Sequence, residues 1–397
     1  MRLRRFPGPA ALVFVFVVSC RTAPRPPPPA LPTPLPTATP DLVRATPPDV
    51  VDDLPRDSLV VAIDRDLEAG ERIAAPSCSA SETSRALVAL RDAAARPDAD
   101  LAAFVREQFV FGRSTGRSGG ALFTGYYEPV LTGRRRRDGT FVYPIYRRPD
   151  DLIEIRLGDF DAAFAAITIY GRVAGGKLAP YYTRREIDGD RVLAGRGLEI
   201  AWLDDPVARY FLHIQGSGII QLEDGAAQRV GFASSNGKPY TSIGRLLADD
   251  GSLGAEKPTA PAIQAFLRAH PERQDDVLFQ NERYVFFREV VDGPLGHLGV
   301  KLTDGRSIAV DASLYPLGSL GYITTEASSG HTPLRRLVLV QDTGGAITGP
   351  GRVDVFFGTG DQAGEEAGVM SARGELYFLV PRACASRAAS ESPSLSK

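Results

Sequence analysis

The sequence predicts a mainly β protein with helices near its N-terminus. Residues 57–111 have the pattern of helical segments. After Gly112 the chain changes to short runs rich in β-branched and aromatic residues, and glycines break these runs. The strands of a doubly wound sheet alternate with helices, but few helical segments separate the runs here. The pattern therefore favours β-barrels over a doubly wound sheet.

Capping residues place the helical segments. Ser79 and Glu82 have the spacing of a capping box in front of an alanine-rich run. Another helix is predicted in TAPAIQAFLRAHP, where Thr259 can cap the helix and Pro261 lies in its first turn. Residues 209–222, RYFLHIQGSGIIQL, are predicted to be β, and their glycine-rich centre is typical of a hairpin turn.

Composition excludes several classes of function. The 397 residues are 43% hydrophobic and 24% charged, which is ordinary for a globular chain of two or three domains. A formal net charge of -2 gives no basic footprint, so we expect no nucleic-acid partner. The three cysteines and four histidines lack the spacing of zinc ligands, so we expect no metal and no cofactor. Carboxylates are left as the groups for chemistry.

The first 19 residues are predicted to be a signal peptide. Three arginines precede an apolar run from Ala10 to Val18, which is far shorter than the roughly 20 residues of a membrane span. The run ends in Val-Val-Ser-Cys, which resembles a bacterial lipobox with Cys20 as the acylated residue. Arg21, where an aspartate would retain a lipoprotein, suggests the outer membrane. The alternative is a plain signal peptide with an accidental cysteine.

Residues 20–56 are predicted to be a lipid-anchored tether. Twelve of the 31 prolines lie between Pro24 and Pro55. Such a tract prefers extended polyproline II and cannot pack a core. A disordered tail without purpose predicts the same structure, and the adjacent Cys20 favours the tether.

Two cysteines remain besides Cys20. Cys78 and Cys384 can pair in an exported protein, because the ends of a domain often lie close together. Two unrelated thiols are the alternative. Residues 383–397 are low in complexity and are predicted to be a disordered tail.

Three apolar runs each carry one aspartate at or near a strand end. They are SIAVDASLYPLG with Asp311, VLVQDTGGAI with Asp342 and RVDVFFG with Asp354. In the last run, the period of 2 places Asp354 opposite the face of Val353 and Val355. If the fold gathers the three carboxylates, repulsion raises at least one pKa and creates a general acid. The alternatives are an exposed edge strand for Asp354 and a turn cap for Asp342.

These runs resemble the three-aspartate domain of bacterial lytic transglycosylases. Four more motifs follow the order expected of the membrane-bound lytic transglycosylase A family, so that the resemblance covers residues 120–380. They are FTGYYEP at 123–129, FLHIQGSG at 211–218, NGKPYTSIG at 236–244 and YVFF at 284–287. One departure precedes YVFF, where Glu282 and Arg283 replace the Pro-Ser pair that is usual in the family.

The resemblance implies a two-domain fold. A double-psi β-barrel catalytic domain is expected from residues 57–126 and 291–382, with a three-aspartate C-terminal part. An inserted β-barrel-like domain is expected from residues 127–290, with a groove for a glycan strand between the two. Peptidoglycan is the implied partner, at the periplasmic face of the bacterial outer membrane. Other cell-wall synthesis or hydrolysis proteins are candidate partners.

The resemblance also implies an activity. The family cleaves the β-1,4 bond between N-acetylmuramic acid and N-acetylglucosamine and leaves a 1,6-anhydro ring. By motif position, Asp354 matches the catalytic aspartate, while Asp342 and Asp311 match two supporting residues. An ordinary glycosidase needs two carboxyl groups. Here the C6 hydroxyl of the sugar replaces water, so one carboxyl group can first donate and then accept the proton.

The remaining motifs are expected to contribute residues that bind the glycan in the groove. Aromatic rings can stack on sugars, and the glutamine and its glycine-rich neighbours can supply hydrogen bonds. A buried tyrosine pair, a hairpin turn and a loop fixed by Asn-Gly turn chemistry are the structural alternatives. His213 is interpreted as a residue for packing or a structural hydrogen bond, and not as a base. The predicted binding residues are Tyr126, Tyr127, Gln215, Gly216, Ser217, Gly218 and Tyr240.

Two other functions remain open from the sequence. One is a water-using glycoside hydrolase on the same fold, for which Glu128 is the candidate second carboxylate. The other is a wall-binding lipoprotein without activity. The mass of the sugar released from the cell wall distinguishes the three functions.

Overall fold

The computed structural model describes residues 42–385, except residues 115, 117, 118, 166 and 328–331. The predicted signal peptide, Cys20, the tether up to residue 41 and the tail from residue 386 lie outside the described residues. No helix in the described part of the chain is both long and apolar enough to cross a membrane.

Helices and strands alternate irregularly along the described chain. The α-helices are α1 Arg56–Glu68, α2 Ala80–Ala94, α3 Leu101–Gln108, α4 Pro206–Gln215, α5 Ile243–Asp249, α6 Ala260–Ala269, α7 Gln274–Leu278 and α8 Asp361–Val369. The strands are β1 Val43–Arg44, β2 Phe109–Arg113, β3 Ala121–Glu128, β4 Val130–Thr132, β5 Tyr143–Tyr146, β6 Ile153–Arg156, β7 Thr168–Ala174, β8 Lys177–Pro180, β9 Glu199–Leu203, β10 Ser217–Gln221, β11 Ala227–Ser235, β12 Val285–Glu289, β13 Ser307–Ala309, β14 Leu320–Thr325, β15 Arg335–Asp342, β16 Arg352–Thr359 and β17 Ser371–Pro381.

The largest sheet joins the two ends of the described chain. Its eight strands have the order β1-β2-β17-β14-β15-β13-β16-β3, and β17 pairs with β3 as well. Seven strands, β2, β3 and β13–β17, therefore each have a paired neighbour on both sides. Apolar side chains of these strands, such as Phe123 and Val353, form one core cluster. Helices α1, α2 and α3 pack on the sheet through a second cluster. The predicted mainly β fold with N-terminal helices is confirmed.

The capping predictions are also confirmed. Ser79 caps α2, where its Oγ accepts from the backbone N–H of Glu82 and the Glu82 carboxylate accepts in return. The side chain of Thr259 caps α6, and Pro261 lies in the first turn of that helix.

The strands between β3 and β13 form three separate sheets. Their orders are β12-β11-β10-β4, β5-β9 and β6-β7-β8. Helices α4 to α7 lie in the same stretch of chain, and α4, α5, α6 and α7 share an apolar cluster. The residues from 130 to 289 thus contribute no strand to the eight-stranded sheet.

The prediction of β structure for residues 209–222 is wrong in its first half. Residues up to Gln215 belong to α4. The Asp205 side chain caps this helix by accepting from the backbone N–H of Val207, 2.7 Å away, and Pro206 suits its first position. Gly216 ends the helix with a φ of 78°, so Gly216 and Ser217 join a helix to β10 and do not form a hairpin turn.

The predicted tether and tail are too long at their inner ends. Val43 pairs with Arg113 as an edge strand, and Val50 is buried in the core. The prolines of this segment lie outside β1, so they do not prevent its hydrogen bonds. At the other end, Cys384 is buried and forms a disulfide with Cys78. The paired alternative for these two cysteines is therefore the one found.

Candidate active site

Strand pairing places four side-chain positions in one row across the large sheet. Asp342 of β15 is paired with Ala309 of β13, and Ala309 is paired with Asp354 of β16. Asp354 is in turn paired with Thr124 of β3. Paired residues on neighbouring strands point to the same face. The two aspartates therefore lie on either side of a small alanine, roughly two strand spacings or 10 Å apart between Cα atoms.

Asp354 lies on the face that the alternation predicts. Val353 and Val355 are fully buried in the core, while Asp354 is half-buried on the opposite face. Strand β16 runs between β13 and β3. The edge-strand alternative for Asp354 is therefore wrong, because this aspartate lies in the interior of a sheet.

A hydroxyl group connects Asp354 to an arginine. The Thr124 hydroxyl lies 2.6 Å from Asp354 Oδ1, and Arg352 Nη1 lies 2.8 Å from the Thr124 oxygen. A guanidinium group can only donate hydrogen bonds. The Thr124 hydroxyl therefore accepts from Arg352 and donates its single proton to Asp354 Oδ1.

Burial raises the pKa of the Asp354 carboxyl group above its usual value. The hydrogen bond from Thr124 and the charge of Arg352 offset part of this rise, and the charge of Asp342 adds to it. The expected repulsion between clustered carboxylates is thus present between Asp342 and Asp354. This repulsion raises the pKa of Asp354 and so favours its protonated form.

The Asp342 carboxylate is held by three hydrogen bonds at the end of β15. Its Oδ1 accepts from the backbone N–H groups of His297 and Thr343, each at 2.9 Å. Its Oδ2 accepts from the Tyr126 hydroxyl at 3.1 Å. Burial raises the pKa of Asp342, and these three bonds offset part of the rise. The side chain is thus a turn cap, as the alternative predicted, and also a partner of Tyr126.

Asp311 has a different environment from the other two aspartates. Its carboxylate accepts from the backbone N–H and the hydroxyl of Ser313, and from the backbone N–H of Gly349 at 2.7 Å. Burial opposes its ionisation, but these hydrogen bonds outweigh burial and lower its pKa. Within the described residues, no hydrogen bond joins Asp311 to Asp342 or Asp354.

The two predicted stacking tyrosines are half-buried beside the aspartates. The Tyr126 ring packs on Phe356 with 5.2 Å between ring centroids. The backbone N–H of Tyr127 donates to Gln215 Oε1 at 3.1 Å, so this bond ties β3 to the end of α4. A Cβ added at Gly364 would lie 2.7 Å from the Tyr127 ring, so α8 packs closely against that ring.

The other predicted binding residues differ in their local roles. Gly216 provides the left-handed end of α4. A Cβ added at Gly218 would lie 2.5 Å from a Leu212 methyl, so this glycine allows close packing. Ser217 is half-buried at the start of β10. Burial raises the pKa of Tyr240 and the charge of Arg352 lowers it, which places Tyr240 near the arginine that contacts Thr124.

Comparisons with known proteins identify the family. Residues 122–288 match the family model of the MltA specific insert domain, and residues 306–380 match that of the 3D domain. The crystal structure of a membrane-bound lytic murein transglycosylase from Agrobacterium tumefaciens is 33% identical with a TM-score of 0.72. That match covers 85% of this chain and 99% of that one. The chain belongs to the MltA family.

Two further members of the MltA family show the same similarity. MltA from Neisseria gonorrhoeae, in its monoclinic crystal form, is 31% identical with a TM-score of 0.66, over 86% of this chain and 95% of that one. The membrane-bound lytic murein transglycosylase A of Vibrio cholerae is 29% identical over 271 residues. That alignment covers 66% of this chain and 66% of the relative, so about a third of the relative's length is unmatched.

The site combines residues of both matched MltA regions. The three aspartates lie within the 3D match, whereas the tyrosines and Gln215 lie within the insert match. Thr124 and Arg352 are not among the site residues predicted from the sequence. Arg352 is two residues before Asp354 on β16, so the period of 2 that placed Asp354 also indicated this arginine. Thr124 lies in the motif that contains the tyrosines, next to Gly125.

Glu128 and His213 are engaged elsewhere in this MltA fold. Glu128 is fully buried, pairs with Arg229 at 3.0 Å and accepts from the Thr359 hydroxyl at 2.9 Å. His213 is buried with Nδ1 2.9 Å from Arg184 Nη1, and burial holds its pKa well below the usual value. The interpretation of His213 as a packing residue is confirmed, and Glu128 is poorly placed to activate water.

Proposed function

We propose that this protein is a peptidoglycan lytic transglycosylase. It cleaves the β-1,4 bond between N-acetylmuramic acid and N-acetylglucosamine without water and releases 1,6-anhydromuramoyl products. The observation that carries the proposal is the pairing of Asp354, a half-buried carboxyl of raised pKa, with a fixed hydrogen-bond donor. The family relatives are named for transglycosylation of murein, which supports the same substrate.

The hydrogen bonds of Asp354 assign its catalytic proton to one oxygen. Oδ1 accepts from the Thr124 hydroxyl. The acidic proton therefore belongs on Oδ2. From there Asp354 protonates the glycosidic oxygen, and the bond from C1 to that oxygen breaks to leave a positively charged sugar.

The second half of the reaction returns the proton to Asp354. The carboxylate accepts the proton of the C6 hydroxyl while the C6 oxygen bonds to C1. This attack is intramolecular, so little additional entropy is lost when the two atoms approach each other. One carboxyl group thus serves as acid and then as base, and no water is consumed.

Asp342 and Asp311 support Asp354 from different distances. The negative charge of Asp342 keeps the pKa of Asp354 high and also favours positive charge on the sugar. Its bond to Tyr126 orients that ring beside the reacting sugar. Asp311 fixes the backbone at Gly349, three residues before the start of β16.

The glycan strand is proposed to lie in a groove between two domains. One is a double-psi β-barrel of residues 57–126 and 291–382, and the other is the insert of residues 127–290. Tyr127 and Tyr240 offer half-exposed rings, while the Gln215 amide and the Ser217 hydroxyl offer hydrogen bonds. Gly216 and Gly218 keep the backbone of this segment in place for these contacts.

The protein is proposed to be anchored at the periplasmic face of the outer membrane. Cleavage after residue 19 would leave Cys20 to carry the lipid. The name of the relatives includes membrane binding, which supports an anchored enzyme. At this place its partners are glycan strands and other proteins that build or hydrolyse the wall.

Digestion of purified sacculi tests the function. We expect wild-type protein to release anhydro-muropeptides, which mass spectrometry separates from reducing sugars by one water. Asp354→Asn should abolish release but keep glycan binding, whereas Asp98→Asn, at an exposed position, should remain active. Reducing ends would favour a hydrolase, and intact sacculi with wild-type protein would favour a binding protein.

A further inference from the structure

Two cations beside the candidate active site lack a carboxylate partner. Among the described residues, no acidic side chain forms an ion pair with Arg283 or Lys238. Arg283 is half-buried, and its Nη1 lies 3.4 Å from the backbone oxygen of Lys238. A half-buried guanidinium normally pairs with an anion, because desolvation costs free energy. Burial also lowers the pKa of Arg283, which is the direction that an added anion would reverse.

Arg283 bridges two loops at the edge of the site. A Cβ added at Gly345 would lie 3.0 Å from the guanidinium carbon, so the side chain packs on that glycine. Gly345 lies three residues after Asp342, in the loop that follows β15. The other loop carries Lys238. The guanidinium group thus lies on the side of the site where β15 ends at Asp342.

The backbone that carries Arg283 is fixed in place. Its N–H donates to Asn281 Oδ1 at 3.3 Å, and its carbonyl accepts from Arg184 Nη2 at 2.6 Å. Asn281 and Arg184 are both buried.

The space beside these cations is open. A pocket of about 400 Å³ is lined by β7, β8 and the loop of residues 236–238, which includes Lys238. Tyr170 lines this pocket, and the positive charge of Arg283 acts to lower the pKa of its hydroxyl. The Glu154 carboxylate interacts with Tyr170, and it also pairs with Arg156 at 3.4 Å. The site therefore keeps a surplus of positive charge.

We propose that Arg283 and Lys238 form a carboxylate-binding subsite for the acidic peptide branch of the glycan strand. This proposal rests on the proposed function and assigns a binding site to the peptide branch, the part of the substrate that does not lie in the proposed glycan groove. The lactyl group of muramic acid carries a peptide whose free carboxylates extend away from the sugar chain. A planar guanidinium matches a carboxylate with two parallel hydrogen bonds, and a nearby ammonium adds attraction. The subsite thus selects strands that still carry their peptides.

Kinetics on two forms of the same glycan test the subsite. One form is uncrosslinked strands with peptides, and the other is the same strands after an amidase has removed the peptides. Arg283→Gln and Lys238→Gln should each raise KM for the first form roughly 10-fold to 100-fold with kcat unchanged. On bare strands both variants should equal wild type. Arg136→Gln removes an exposed cation elsewhere and should leave KM unchanged on both substrate forms.

Binding without turnover provides the second measurement. Calorimetry with Asp354→Asn protein and an acidic disaccharide-tripeptide should show that added Arg283→Gln weakens binding by a similar factor. If the two variants raised KM on both substrate forms, or on neither, the proposed subsite would be overturned. Should wild-type protein release no anhydro sugars, the proposed function fails, yet the calorimetric difference still reports on these two cations.

Discussion

The hydroxyl between Arg352 and Asp354 permits a sharp test of the proton assignment. Thr124→Val keeps the shape and the β-branch of the side chain but removes the hydrogen bond of 2.6 Å to Asp354. A hydrogen bond to a charged group contributes about 1.5–3 kcal/mol. If the bond orients the carboxyl group in the transition state, kcat/KM should fall roughly 10-fold to 150-fold.

The pH profile separates this role from simple damage to the fold. The Thr124 bond lowers the pKa of Asp354, so its removal should raise that pKa. The acid must be protonated to begin the reaction. The descending limb of kcat/KM should therefore move to higher pH, measured by anhydro-muropeptide release across a pH series. Thr124→Ser keeps the hydroxyl and should show the rate and the pH profile of wild-type protein. If the descending limb of Thr124→Val stays at the same pH or moves to lower pH, the proton assignment is refuted.

Three other predictions concern residues around the site and the core. Glu128→Gln should lower the melting temperature, since it breaks a buried pair with Arg229. Its products should remain anhydro-muropeptides. If the wild-type protein also released reducing ends and this variant did not, Glu128 would instead be the base of a hydrolase. Burial raises the pKa of Asp66 to about 8 from 3.8, so its protonated form stabilises the fold at low pH, and this stability is lost as pH rises towards 8. Asp66→Asn should flatten that decline in melting temperature, and an unchanged slope would contradict the assignment. The double variant Cys78→Ser, Cys384→Ser should lose about 2–4 kcal/mol of unfolding free energy in denaturant titrations. Reduced wild-type protein that is as stable as oxidised wild-type protein would contradict this contribution of the disulfide.

Local patterns in the sequence were sufficient to predict where each aspartate lies along its strand. Period-2 alternation put Asp354 opposite the buried valines, and the turn residues put Asp342 at a strand end. The same logic failed for α4, because β-branched and aromatic residues in that run resemble a strand. Its helix depends on the cap at Asp205 and on packing of its apolar face, which only the tertiary structure supplies.

Contacts between distant parts of the chain were beyond the reach of such patterns. Thr124 and Asp354 are 230 residues apart in sequence and meet only through the parallel pairing of β3 with β16. A shift of that register by one residue would turn Thr124 to the other face and break the bond. Arg283 shows the same limit, since its neighbour Gly345 belongs to a loop 62 positions later in the chain.

The row of paired residues also supports the proposal that one aspartate acts alone as acid and base. Ala309 separates Asp342 from Asp354 by a methyl group, so the two carboxylates interact by charge without a shared hydrogen bond. Asp342 accepts from three donors, which offset part of the effect of burial on its anion, whereas Asp354 accepts from a single side-chain hydroxyl and retains one oxygen for a proton. Burial raises the pKa of both groups, and the larger number of donors at Asp342 favours its anion relative to that of Asp354. A second catalytic carboxylate would need a similarly free oxygen, and Glu128 has committed its oxygens to Arg229 and a threonine.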